Sequence, residues 1–249
     1  MIGFFRKIRK NLVVNNRFSK YLLYAIGEII LVVIGILIAL QVNNANQNRK
    51  ERKVELKVLR TIQSDISQDI VNLDSMIKWE RTFVAGNEQL ITLLKNDTIT
   101  YETGMDSLFG NINRYYVFYP QRIGYESLKS GGMDLLRSDS LKENIVMLYD
   151  FHYELIAETM ELKKQLYLET NPIFLPQLVT IGDLDERFSV TRKRPVDFNA
   201  IKEDQEFYNY LTHIYHERIN FLRFALSTKD VMLNVRDKVE QEVKAMSDD

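Results

Sequence analysis

A long apolar run near the N-terminus constrains this chain more than any other feature of its sequence. From Tyr21 to Val42 the run carries one charged residue, Glu28, among residues that are mostly leucine, isoleucine, valine and alanine. A helix needs about 20 apolar residues to cross a hydrocarbon core about 30 Å thick. The run therefore predicts a transmembrane helix over residues 21–43.

Two other kinds of apolar segment compete with this prediction, namely a cleaved signal peptide and the buried core helix of a soluble protein. The run is longer than the roughly 7 to 15 residues of a usual signal-peptide core. No small-x-small cleavage site follows it. These observations favour an uncleaved signal anchor.

Basic residues on both sides of the run bear on its orientation. The upstream tail, residues 1–20, lacks acidic residues, and its basic residues are Arg6, Lys7, Arg9, Lys10, Arg17 and Lys20. An equal number of basic residues begins at Arg49, but Glu51 and Glu55 are interleaved with them. Long C-terminal domains are also translocated largely regardless of charge. We expect the tail to be cytoplasmic and the domain over residues 44–249 to lie across the membrane.

The composition of the chain favours helix and excludes several kinds of chemistry. Cysteine is absent, which excludes disulfides, thiolate metal sites and thiol catalysis. The 4 Pro and 10 Gly residues are few for a many-stranded sheet. A formal net charge of -1 gives no overall attraction to nucleic acid. We expect a mainly α protein that has membrane lipid, and no nucleic acid, among its partners.

Apolar residues recur at three- and four-residue steps in three later segments, as on one face of a helix. The first segment continues towards Leu94 and has the positions Leu59, Ile62, Ile66, Ile70, Leu73 and Ile77. The second begins at Ser140, which forms a capping-box pattern with Glu143, and is expected to end at Asn171–Pro172. Its predicted buried positions are Leu141, Ile145, Leu148, His152, Leu155, Thr159, Leu162 and Leu166.

The third segment runs from about Asp204 to Lys244. One of its faces carries Leu211, Ile214, Arg218, Phe221, Ala225, Thr228, Met232, Val235 and Val239. A second apolar row widens this face beyond the seam of a two-stranded coiled coil. Short helices are expected near Asp106–Gly110 and before Gly131–Gly132, and residues 172–199 are expected to form an irregular connection. The predicted fold is mainly α, with one N-terminal transmembrane helix followed by an up-and-down helical bundle outside the membrane.

The segment from Phe18 to Asn44 resembles the N-terminal signature of an uncharacterised family of single-span membrane proteins from Bacteroidota. Weaker similarity covers Tyr125 to Gly131 and Asp204 to Phe207. Ala45 stands where a tryptophan usually follows the asparagine pair in that family. The resemblance implies an inner-membrane protein with a periplasmic helical domain, and it implies no catalytic residue.

An aromatic loop and two polar patterns are the candidate binding features of the predicted domain. The loop residues Tyr115, Tyr116, Phe118 and Tyr119, together with Tyr125, could contact a ligand or a partner, or could cap one end of the bundle. The pattern His213-Ile-Tyr-His216-Glu217 does not match the common zinc-protease motifs. The acidic stretch Gly182–Glu186 lacks the spacing of a calcium loop. We therefore predict no metal site.

The sequence has no phosphate-binding loop and no nucleophile elbow, so we expect neither an enzyme nor a bound cofactor. Within the membrane run, one stripe at alternating three- and four-residue steps contains Ala25, Glu28, Val32, Gly35 and Ala39. Small residues in such a stripe permit close approach of helices. We expect a self-associating scaffold or adaptor with a possible periplasmic protein partner. The alternatives are an oligomeric channel or proton-coupled component that uses Glu28, and a ligand sensor.

Overall fold

The computed structural model of the protein describes residues 18–181 and 192–248, which are nearly all helical. The helices are α1 (Phe18–Leu94), α2 (Asp106–Asn111), α3 (Ile123–Gly131), α4 (Asp139–Val146), α5 (Tyr153–Phe174), α6 (Phe198–Glu203) and α7 (Gln205–Asp248). A π-helical segment, Met147–His152, joins α4 to α5. Short 3₁₀ turns lie at Thr103–Met105, Met133–Leu135 and Leu175–Gln177. The predicted mainly α bundle is confirmed.

Residues up to Glu55 form one compact unit, and Leu56–Asp249 form a second. In the first unit, the described residues belong to α1. An 18-residue window of this helix has a mean hydropathy of 2.7 with none of it buried, so one N-terminal helix is long and apolar enough to span a membrane. The helix continues through the asparagine-rich stretch from Asn43 to Asn48, because no Gly or Pro occurs between Gly35 and Gly86. The predicted tail lies outside the described residues except for its last three.

Two of the three predicted apolar faces form the core of the second unit. On α1, the six predicted positions from Leu59 to Ile77 are all buried. On α7, the nine predicted positions from Leu211 to Val239 are all buried, including the charged Arg218. Both helices keep a regular α-helical repeat, so a three- and four-residue pattern in the sequence marks one continuous face.

The predicted face on the second long segment is correct before the π-helical segment and wrong after it. Leu141, Ile145 and Leu148 are buried, but Leu162 is 66% exposed. A π-helical turn accommodates one residue more than an α-helical turn. The face that points to the core therefore shifts by one position, and the buried residues of α5 are Tyr153, Ile156, Lys163, Tyr167, Thr170 and Phe174.

Three predicted boundaries need correction. The hydroxyl of Ser138, and not that of Ser140, caps α4 by accepting a hydrogen bond from the Leu141 amide. Pro172 does not stop α5, which continues to Phe174; the hydrogen bond lost at the proline nitrogen is offset by the burial of Phe174 in the core. The connection from residue 172 is more regular than expected. It contains β1 (Leu178–Ile181) and β2 (Arg192–Pro195), paired antiparallel with Leu178 opposite Pro195, and the acidic stretch at 182–186 lies outside the described residues.

Among the described residues of the second unit, the core has two apolar clusters, and the three long helices α1, α5 and α7 contribute to both. In α1 the first cluster includes Ile77 and the second begins at Leu90. In α7 the order is reversed, with Ile214 in the second cluster and Phe221 in the first. Between these positions, each of the three long helices carries one buried charged residue: Glu80 in α1, Lys163 in α5 and Arg218 in α7.

Candidate functional site

Glu80, Lys163 and Arg218 form a buried charge cluster. Lys163 Nζ donates to Glu80 Oε1 at 2.6 Å, and Arg218 Nη1 donates to the same oxygen at 3.0 Å. Aromatic rings surround the two cations. The ring centroid of Phe221 lies 4.4 Å from Lys163 Nζ, and the ring centroid of Phe83 lies 5.0 Å from Arg218 Cζ. One carboxylate oxygen therefore accepts hydrogen bonds from two cations that are removed from water, and it balances only one of their charges.

Burial has the largest effect on the pKa of Lys163. Desolvation lowers this pKa, the Glu80 carboxylate opposes the effect and the nearby Arg218 charge adds to it, so that the pKa of Lys163 is about 8. A lysine with a lowered pKa in a cleft is a common feature of functional sites. A purely structural ion pair between helices lowers the pKa of a buried lysine in the same way. The residues around Lys163 must therefore show whether its role is functional or structural.

Arg218 also fixes the chain where it enters the aromatic loop, residues 115–120. Its Nη2 donates to the backbone carbonyl oxygens of Asn111 at 3.3 Å and Ile112 at 2.9 Å, and also to that of Arg114. These carbonyls immediately precede Tyr115. The ring of Tyr115 then lies 5.5 Å from that of Tyr167, which itself contacts the Arg218 guanidinium.

Two aspartates of α1 fix the chain where it leaves the loop. Asp69 accepts hydrogen bonds from the Gln121 amide at 2.9 Å and from the Tyr153 hydroxyl at 3.0 Å. Asp65 accepts one from the Gly124 amide at 2.7 Å, in the first turn of α3. Burial raises the pKa of Asp69 to about 6, although its two donors and Arg122 act to lower it.

The middle of the loop is fixed by Phe118. Its side chain is only 4% exposed, and its ring packs edge-on against Tyr153 with 6.0 Å between the ring centroids. The loop is thus held by Arg218 before it, by Phe118 within it and by Asp69 after it. A loop held in this way loses little conformational entropy when it binds a partner.

The loop forms one wall of a cleft of about 510 Å³, and α5 forms the other. Tyr115, Tyr116 and Tyr119 are exposed here, with Tyr119 79% exposed. From α5 the cleft is lined by Ala157, Met160, Glu161, Lys163 and Lys164. Lys163 therefore belongs both to the buried charge cluster and to the cleft.

The structure places the five predicted surface residues in two different environments. Tyr115, Tyr116 and Tyr119 are exposed on the cleft, whereas Phe118, which also lines the cleft, and Tyr125 are buried. Tyr125 stacks on Tyr149 at 4.5 Å, and its hydroxyl donates to Asp150 at 2.6 Å. It is buried because α3 packs its inner face on the bundle.

The predicted stripe in the apolar segment lies on one face of α1, because α1 is regular there. Ala25, Glu28 and Val32 line a shallow groove on this face together with Ile29 and Val33. Gly35 is open on its side-chain face, with nothing within 4 Å of an added Cβ. Ala39 continues the stripe and is exposed.

The histidines do not gather into a metal site. His213 and His216 are exposed on α7. His152 is half-buried, and burial lowers its pKa. Its Nδ1 is buried and has no hydrogen-bond partner within the described part of the chain. Over residues 18–181 and 192–248, no three His, Asp or Glu side chains are placed to hold a metal ion.

Sequence reasoning missed the residues that support the cleft, although it had a signal for some of them. Glu80 follows Ile77 by three positions, so it continues the buried face of α1. The helical repeat also predicts that Arg218 lies on the buried face of α7, but it indicates no partner. A charged residue on a buried face indicates a partner from another helix. Lys163 gave no such signal, because the π-helical segment shifts the face on which it lies.

Comparison with known proteins shows that one family model matches the chain. The model of a family of unknown function, DUF6090, matches residues 28–219, which include the apolar segment from Glu28 onward and the buried charge cluster. Neither a curated protein nor a solved structure matches the chain.

Proposed function

Because this chain belongs to the DUF6090 family of unknown function, we propose a function from its own residues: a membrane-anchored, self-associating helical scaffold or adaptor without catalytic activity. The apolar segment of α1 anchors the chain in a bacterial inner membrane, with the N-terminal tail in the cytoplasm. The domain over residues 44–249 lies in the periplasm and binds a protein partner through the cleft beside the aromatic loop.

One observation carries the binding role: the aromatic loop is fixed at three points and still exposes tyrosine side chains. Exposed aromatic residues on a rigid support are typical of the energetically dominant residues in protein interfaces. A loop that served only to cap the bundle would turn its rings inward, as Phe118 does. Tyr119 instead leaves most of its ring in solvent.

Site-specific photocrosslinking tests this role. A photoreactive phenylalanine analogue replaces Tyr119 in the full chain in its native membranes, and a matched analogue replaces the exposed Glu158 of α5. We expect a discrete adduct of higher mass from position 119 and none from position 158. Equal adducts at both positions, or none at position 119, would contradict a binding surface at the loop.

The alternative function, an oligomeric channel or proton-coupled component, is favoured by one specific feature. Glu28 lies in a groove of the apolar segment beside Ala25 and Val32. A carboxylate in a membrane span costs about 2.5–3.5 kcal/mol at the bilayer centre, so such residues usually face protein or a water-filled path. A helix–helix contact between copies of the chain would also place Glu28 against protein. The scaffold and the channel therefore differ in whether ions pass along Glu28.

A further inference from the structure

The buried charge cluster holds one positive charge more than it balances. Its members are the Glu80 carboxylate, the Lys163 ammonium and the Arg218 guanidinium, all of them buried. Arg218 has further acceptors in the backbone carbonyls before the loop. An ammonium has three N–H donors. Among the described residues Lys163 donates one hydrogen bond, to Glu80, so two donors are available to a further acceptor.

The excess charge lies on the wall of the cleft. Lys163 lines the cleft between Met160 and Lys164. The other cations of the lining contact surface carboxylates: Arg122 pairs with Glu154 at 2.6 Å, and Lys164 pairs with Glu161 at 3.2 Å. An anionic group that enters the cleft therefore gains most at Lys163, where little water screens the interaction.

The remaining lining defines what should accompany this anion. Tyr115, Tyr116 and Met160 present aromatic and aliphatic surface beside Lys163. Such surfaces favour apolar neighbours on both sides of the charged group. A polypeptide provides this arrangement when an acidic residue lies between large apolar residues.

We propose that the cleft binds a segment of the partner polypeptide in which a glutamate or aspartate is flanked by apolar residues, with the carboxylate on Lys163 and the apolar side chains against Tyr115, Tyr116 and Met160. This assignment rests on the proposed binding role of the loop. An incoming carboxylate also removes the excess of buried positive charge, and it raises the pKa of Lys163 from its value of about 8.

Peptide binding to the full chain in lipid nanodiscs tests the proposal. The probes are blocked pentapeptides with the sequence Leu-Phe-X-Phe-Leu, in which X is glutamate, glutamine or lysine, and calorimetry measures their affinities. We expect the glutamate peptide to bind at least tenfold more tightly than the glutamine peptide, and the lysine peptide to bind least. Equal affinities for glutamate and glutamine, or no binding of any peptide, would overturn the proposal.

Two variants and one control locate the effect. Lys163→Met should remove the preference for glutamate while leaving Glu80 paired with Arg218. Lys229→Met removes a lysine whose partner is Asp74 on the outside of the bundle, and it should leave the preference unchanged. If Lys163→Met unfolds, Met160→Glu provides the same test, because a carboxylate in the cleft should lower the affinity for the glutamate peptide. If folded Lys163→Met or folded Met160→Glu still binds the glutamate peptide in preference to the glutamine peptide, the assignment is wrong.

Two further results separate this proposal from neighbouring ones. If 4-phenylbutyrate binds as tightly as the glutamate peptide, the site takes a small organic acid and the peptide assignment is wrong. If the adduct at position 119 forms while the glutamate preference is absent, the binding role of the loop stands and the acidic segment is excluded. If no adduct forms at position 119 but the glutamate preference depends on Lys163, the cleft binds acidic peptides, and the proposal that it binds a protein partner in native membranes is wrong.

Discussion

Gly124 in α3 lies directly against the backbone of Ile62 in α1. A Cβ atom added at Gly124 would lie 2.6 Å from the Ile62 amide nitrogen and 2.9 Å from its Cα. These are backbone atoms of a helix and cannot move aside as a side chain can. The contact brings α3 close enough for Asp65 to accept the hydrogen bond of the Gly124 amide.

Gly124→Ala should therefore destabilise the second unit. Overpacking of a tight contact costs about 1–3 kcal/mol, and loss of the hydrogen bond to Asp65 would add to it. Urea unfolding of the full chain in mild detergent measures the change through the fluorescence of Trp79, the one tryptophan. Gly86→Ala is the control, because its added Cβ meets Leu108 at an ordinary 3.7 Å; equal stability of the two variants would contradict the close contact.

Glu80→Gln should be among the most destabilising single substitutions in the bundle. It leaves the Lys163 and Arg218 charges buried without their shared carboxylate, and breaking a buried ion pair costs about 3–5 kcal/mol. Glu154→Gln removes a carboxylate from the exposed pair with Arg122, for which about 0–1 kcal/mol is expected. The same unfolding measurement compares the two variants, and similar losses of stability would show that the buried cluster is not a clamp.

The stability of the protein should depend on pH through Asp69. Its carboxyl has a pKa of about 6 in the folded state, raised by burial from a reference value of 3.8. Between these two values the folded state binds more protons than the unfolded state, so the contribution of Asp69 to stability increases as pH falls from above 6 towards 4 and decreases as pH rises through 6. Subtracting the unfolding free energies of Asp69→Asn from those of the wild type over pH 5–8 isolates this contribution. A difference that stays constant with pH would mean that the carboxyl titrates normally.

The sequence was sufficient to predict the parts of the fold that keep one uninterrupted helical repeat. The α7 face from Leu211 to Val239 is an example, since each buried position follows from the position before it. The buried charge cluster was beyond this reasoning because its partners are distant in sequence. The residues joined by the Lys163–Glu80 bond are 83 positions apart, and those joined by the Arg218–Glu80 bond are 138 positions apart.

The aromatic loop shows the same limit in another form. Composition alone grouped its tyrosines with Phe118 and Tyr125, because all of them are aromatic. Their exposure differs because Phe118 packs on Tyr153 and Tyr125 stacks on Tyr149. Tyr149 lies in the π-helical segment and Tyr153 follows it, so both contacts depend on which side chains this segment turns towards the core. No local sequence pattern indicates the π-helical segment.

Reporter fusions test the proposed orientation. Alkaline phosphatase, which is active only in the periplasm, should be active when fused after Asp249 and inactive when fused after Lys20. The expectation follows from the basic tail without acidic residues, since such segments are retained on the cytoplasmic side. Activity of the Lys20 fusion with an inactive Asp249 fusion would reverse the topology.

The stripe on the apolar segment should mediate self-association. Gly35→Leu places a bulky side chain where helices can approach closely, so it should lower the oligomer size in mild detergent. If the chain forms a channel, the wild type should conduct ions in proteoliposomes and Glu28→Gln should abolish this flux. If the chain is a scaffold, neither the wild type nor Glu28→Gln should conduct ions. Gly27→Leu, the same change at a glycine that lies off the stripe and outside the groove, is the control. Unchanged assemblies in the Gly35 and Glu28 variants would exclude the stripe as a contact.

The π-helical segment has a consequence for comparing this chain with its relatives. Removing one residue between Met147 and His152 would restore a continuous α-helix from α4 to α5 and leave the later residues of α5 on their present faces, because the π-helical turn accommodates one residue more than an α-helical turn. Lys163 would then still face Glu80, at the position that an uninterrupted three- and four-residue repeat from Leu141 assigns to residue 162. A one-residue gap in this part of a family alignment would thus mark relatives in which α4 and α5 form one regular helix and the lysine contact is kept.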